Sequence, residues 1–105
     1  LYRKFTTQSA DTTPPVISNI NVSSIGQFTA NINWTTNELS DSQVRFLSPC
    51  PSTGCRTPIV STLVNSHTIN ISNLSPATTY TYRVKSRDTA GNLGKSLYRK
   101  FTTQP

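Results

Sequence analysis

The sequence predicts an all-β fold, a seven-stranded sandwich of two sheets, and three observations carry that prediction. Alternation of apolar and polar residues with period two recurs between turn signals about every ten residues, and helical periodicity is absent. Only 33% of the 105 residues are apolar, and Ser, Thr and Asn are abundant, which suits solvated strands better than helices. The length gives room for one domain with one modest core.

The elements follow in order. Val16–Ile25 reads as a first, broken strand behind the stiff DTTPP of Asp11–Pro15. FTANINWTT (Phe28–Thr36) alternates cleanly, with Phe28, Ala30, Ile32 and Trp34 expected inward and Asn31, Asn33 and Thr35 outward. SQVRFL (Ser42–Leu47) places Val44 and Phe46 inward and Gln43 and Arg45 outward. Thr57–Val64 is expected as an edge strand, and HTINISNL (His67–Leu74) as a strand burying Ile69, Ile71 and Leu74. TYTYRVKSR (Thr79–Arg87) turns Tyr80, Tyr82 and Val84 to the core and Thr81, Arg83, Lys85 and Arg87 to solvent. DTAGNLG is a turn rich in residues that tolerate positive φ, and Lys95–Thr103 is the last strand.

LSPATTYTYRV (Leu74–Val84) resembles the signature of the fibronectin type III family between its fifth and sixth strands, with Tyr80 as the tyrosine-corner residue. Trp34 stands where that family keeps its core tryptophan, so Trp34, Leu74, Tyr80 and Tyr82 form the core signature. DTTPPVISNI, SHTINISNL and DTAGN before the terminal FTT look like the bacterial secreted, tandem-repeat branch. The resemblance spans residues 11–103 and implies an immunoglobulin-like sandwich that acts as a spacer. Two departures stand out: the CPSTGC insertion after the third strand, and the absence of an RGD tripeptide, which leaves integrin-type adhesion unsupported.

The octamer LYRKFTTQ occurs twice, at Leu1–Gln8 and at Leu97–Gln104, an offset of 96 residues. Repetition at the period of a domain is the mark of a tandem array. Residues 1–8 are then expected to be the last strand of a preceding repeat, 9–15 a Pro-containing linker, and 16–104 the domain proper. Met is absent, so the chain is expected to be a processed product, a fragment or a window from a longer polypeptide. A strand donated between subunits and an engineered duplication are the alternatives. The functional expectation is a repeat unit of an extracellular filament, stalk or adhesin, with neighbouring copies as partners. The alternative is an accessory spacer or carbohydrate-binding domain of a secreted hydrolase.

The formal charge is +6; without Arg3 and Lys4 of the first octamer, eight basic residues face four acids, +4 per unit. No basic run, zinc-ligand pattern or RNA-binding aromatic motif accompanies it, so nucleic acid is not expected as a partner. No apolar run of membrane-spanning length is present, so no membrane insertion is expected. Cys50 and Cys55, spaced C-x4-C around Pro51 and Gly54, are expected to form a disulfide in an oxidising, extracellular setting; two free loop thiols are the alternative. Arg45, Arg83, Lys85, Arg87 and Lys100, with Tyr98, are expected on one outer sheet face. That face suits an acidic polysaccharide or an acidic patch, or serves as a solvated surface that keeps sheets apart. Asn21, Asn33 and Asn70 head N-x-S/T sequons, with Asn73 disfavoured beside the tyrosine corner, and Thr12 and Thr13 beside Pro14 are candidates for O-linked sugars. His67, the single histidine, is expected as an exposed strand-end residue, and no catalytic set can be built around it. The acids Asp11, Glu38, Asp41 and Asp88 read as scattered. Asp11 and Asp88 could meet over calcium across a domain junction, but turn and cap roles are expected, and no enzyme activity, metal or cofactor is.

Overall fold

The computed structural model describes residues 11–105, and in it six strands build the molecule without a helix. They are β1 (Ile17–Ser23), β2 (Ala30–Phe46), β3 (Val60–Ile71), β4 (Thr79–Arg87), β5 (Leu93–Lys95) and β6 (Arg99–Thr102). The first octamer, Leu1–Gln8, and the start of the linker lie outside the described residues. All pairings are antiparallel.

β2 organises the fold. Its 17 residues merge the two strands expected at 28–36 and 42–47. Its first half pairs with β1 and β3, Ser40 and Ser42 still pair with β3, Gln43–Phe46 pairs with β4, and β5 and β6 line the far side of β4. One continuous strand thus passes from one layer of the sandwich to the other, with register shifts against β3 between Thr35 and Ser42. β3 likewise merges the two segments expected at 57–64 and 67–74. The last strand is broken at Ser96–Tyr98, so six strands stand in place of seven.

The core follows the expected alternation. Ala30, Ile32, Trp34, Val44, Phe46, Ile69, Ile71, Leu74, Tyr80, Tyr82, Val84 and Phe101 are buried. Phe46, Tyr80, Tyr82 and Phe101 interlock, with ring centroids 5.6–5.9 Å apart. The tyrosine corner is formed, the backbone N–H of Ser75 donating to Tyr80 Oη at 2.8 Å. Phe28 is the exception. It is 55% exposed because the strand begins only at Ala30, after a turn closed by Gly26 N–H on the Thr29 carbonyl.

The described end of the linker is docked. Pro15 is buried, and Asn37 Oδ1 accepts from the Val16 N–H at 2.8 Å. Asn92 Nδ2 donates to the Asp11 carbonyl at 2.7 Å. A Cβ at Gly94 would run into the backbone carbonyl of Pro15. Gly94→Ala is therefore expected to cost about 1–3 kcal/mol in a urea melt, because backbone on both sides must give way.

Candidate functional site

The structure overturns the expectation for His67. The residue is 1% exposed, stacked on Trp34 with ring centroids 4.9 Å apart and planes 2° from parallel. Ser42 Oγ sits 2.6 Å from Nδ1, while Thr36 Oγ1 at 2.8 Å and Ser40 Oγ at 3.3 Å sit on Nε2. Trp34 Nε1 donates to buried Ser86 at 2.9 Å, which extends the polar layer across the sandwich. The physical reason is parity: His67 shares the inward phase of Ile69 and Ile71, and Thr36, Ser40 and Ser42 share that of Trp34 and Val44. Burial pushes the imidazole below its ordinary 6.5, with Asp41 opposing weakly, so the ring is neutral and both nitrogens are satisfied by hydroxyls. The Ser42–His67 contact has the length of a nucleophile–base pair, yet both partners are sealed inside the core. Its role is to hold the bend of β2 against β3.

The acids are not scattered either. Asp11, Glu38 and Asp88 bring carboxylate oxygens within 4.8 Å of one another, inside the domain rather than across a junction. Asp88 caps its turn, accepting from the N–H groups of Ala90 and Asn92 at 3.0 and 2.9 Å. The Asn92 side-chain amide is the chief reason its carboxyl is held down at about 2. Glu38 moves up instead, chiefly because the Asp88 carboxyl stands beside it, and its Oε1 is buried among the described residues without a hydrogen-bond partner. Glu38 escaped the sequence reading because only the β2 bend brings it to the turn after β4.

The outer face of the β2–β4–β6 layer carries the basic residues as expected. Arg45, Arg83 and Lys85 are half-buried, Arg87 and Lys100 exposed, and the Arg83 guanidinium lies 4.8 Å from the centre of the Tyr98 ring. Two further cations join them that sequence reading missed, Arg56 and Lys95. Arg56 forms an antiparallel bridge with Arg45, and Lys95 pairs with Lys85. Cys50 and Cys55 are bonded, and the loop they close returns along β2 through Phe46 N–H to the Cys55 carbonyl at 2.7 Å. That return is what places Arg56. A groove of about 740 Å³ lies beside the loop, lined by Phe46, Pro51, Arg56, Val60, Ile69 and Ile71.

The opposite face, over β1, β2 and β3, is neutral. Asn33 Nδ2 donates to Asn21 Oδ1 at 3.0 Å and Ser23 Oγ at 2.9 Å, Thr68 donates to Asn33 Oδ1 at 2.9 Å, and Asn70 Nδ2 donates to Asn31 Oδ1 at 2.7 Å. The sequon asparagines thus face outward, with the Asn33 and Asn70 amide nitrogens engaged in a cross-strand ladder. Thr12, Thr13 and Asn73 are exposed, Asn73 in a positive-φ turn.

Among the described residues no helix is long and apolar enough to cross a membrane. No family model matches the sequence, and no curated protein matches it. Solved structures do. A fibronectin type III domain of human fibronectin type III domain containing protein 3 matches with a TM-score of 0.63 at 17% identity, over 96% of this chain and 94% of that one. The third fibronectin III domain of human KIAA0343 protein matches with a TM-score of 0.60 at 18% identity, over 97% and 93%. The sensor domain of the anti-sigma factor RsgI4 of Pseudobacteroides cellulosolvens matches with a TM-score of 0.61 at 18% identity, over 90% and 98%. The tyrosine corner, the Trp34 core and the two-layer antiparallel topology agree with these likenesses: the chain has the fibronectin type III fold.

Proposed function

We propose that the chain is a structural repeat unit of an extracellular tandem-array filament, stalk or adhesin, giving length, spacing and surface display. One observation carries this reading. The octamer at Leu97–Gln104 is built into the sandwich from Arg99 onward, as β6 and the residues after it, and the sequence contains a second copy of the same eight residues. Phe101 is in the core, Thr103 is buried with its hydroxyl donating to the Ser75 carbonyl at 2.6 Å, and Gln104 bonds Gly26 and Ala77 through its backbone. A preceding sandwich is the natural home of Leu1–Gln8.

The docked linker supports the same reading. Pro14-Pro15 limits the chain to extended conformations, and Pro15 is held against Gly94. A neighbour joined through this segment would keep a restricted orientation, as a fibre requires. The Cys50–Cys55 bond fits an oxidising exterior. Exposed Asn21 and Asn70, with Thr12 and Thr13, leave room for sugars on such a fibre, whereas both amide hydrogens of Asn33 are already engaged. Sealing of the Ser42–His67 pair fits a module without a catalytic role.

Electron microscopy of the native material tests this. The expected image is a thread of beads, each adding on the order of 25 Å of strand length plus its linker. Isolated single beads under the same conditions would overturn the proposal.

A further inference from the structure

We propose that the outer face of the β2–β4–β6 layer binds an acidic polysaccharide through a row of three arginines. Antiparallel register puts Arg45 directly opposite Arg83 on one side and opposite Arg56 on the other. Three guanidinium groups therefore follow one another across adjacent chain segments, about 4.8 Å apart at the backbone. On one side of that row lie Gln43, Lys85 and Lys95, and on the other side Lys100 stands opposite Thr81.

Like charges placed directly opposite one another weaken a sheet. This face contains that arrangement at Arg56–Arg45, Arg45–Arg83 and Lys85–Lys95. The acids that could relieve it are engaged elsewhere. Asp11, Glu38 and Asp88 form their own cluster, and Asp41 accepts from the Arg87 backbone N–H at 2.7 Å. Arg83 adds a second sign: its Nε–H is shielded from water and has no acceptor. A carboxylate or sulfate laid between Arg45 and Arg83 supplies that acceptor after a small turn of the guanidinium, and it cancels the repulsion along the row. Burial and then the surrounding arginines pull the Lys85 ammonium below its ordinary value, in keeping with an uncompensated positive field.

The geometry selects among polyanions. The face offers cations in a regular grid, so it fits a chain carrying one anion per repeating unit. A single strand of nucleic acid is held by aromatic platforms for its bases as well as by cations, and Tyr98 on this face is already covered by Arg83. An acidic peptide would add at a sheet edge through its backbone, whereas these charges stand on the face.

The test measures binding of the full chain to polygalacturonate by calorimetry at low and at physiological salt. Binding that weakens with salt is expected, falling roughly tenfold for each of Arg45→Gln, Arg56→Gln and Arg83→Gln. Melting temperature should move the other way or stay level in Arg45→Gln and Arg56→Gln, since each relieves repulsion. These two variants keep the test decisive should Arg83→Gln fold poorly. Three results would overturn the proposal: no binding to polygalacturonate, unchanged affinity in the Arg45→Gln/Arg56→Gln pair, or equal affinity for poly-glutamate or single-stranded DNA.

Discussion

Trp34→Ala is expected to cost about 3–5 kcal/mol of folding free energy, enough to leave a domain of this size at the edge of unfolding. The indole is 1% exposed in the first half of β2, and its loss acts in three ways. It opens a cavity in the core, strands the Ser86 hydroxyl that it bonds at 2.9 Å, and removes the surface on which His67 stacks. Trp34→Phe separates these effects. It keeps most of the packing and loses the Nε1–H bond, so about 1 kcal/mol is expected. Urea titrations of the two variants give the comparison. Near-equal losses would mean that the hydrogen bond to Ser86, not the packing, dominates at this position.

Acid is expected to destabilise the fold through His67. Because its pKa is lower folded than unfolded, the folded state holds fewer protons there as pH falls. The contribution is therefore fully present above the unfolded value of about 6.5 and is lost progressively as pH drops below it. The hydroxyls of Ser42, Thr36 and Ser40 can rotate to accept from either ring nitrogen. What opposes protonation is the burial of a charge rather than a missing acceptor. Unfolding free energy measured from about pH 8 to about pH 5 should fall in the native chain. His67→Gln, which keeps two hydrogen-bonding ends, should flatten that part of the curve; an unchanged pH dependence would assign it to other groups. His67→Ala should cost about 3 kcal/mol or more at neutral pH, since it leaves a cavity and buried hydroxyls without partners.

Much of this architecture was legible from alternation alone. Ile32, Trp34, Val44, Phe46, Tyr80, Tyr82 and Val84 face inward as their phase predicts, because one buried face per strand leaves a period-two record. The same phase extended to His67, Thr36, Ser40 and Ser42, and there polarity misled: these side chains look like surface until their partners are known. The long β2 was hidden because the segment 37–41 lies between the two expected strands, whereas the strand runs on through it with its register against β3 shifted. Phe28 shows the reverse failure, a correct phase projected one turn beyond the strand's start. The basic face was legible at Arg45, Arg83 and Lys85 from their outward parity. Arg56 and Lys95 were not, since register between strands distant in sequence leaves no local trace. Gathering of Asp11 and Glu38 around Asp88 is tertiary in the same sense.

Intact mass of the native polypeptide under denaturing, reducing conditions bears most directly on the repeat-unit reading. A covalent array predicts a species several times larger than the 11.6 kDa of these 105 residues. A single native species at 11.6 kDa would contradict it and leave the doubled octamer to be explained by exchange between separate subunits.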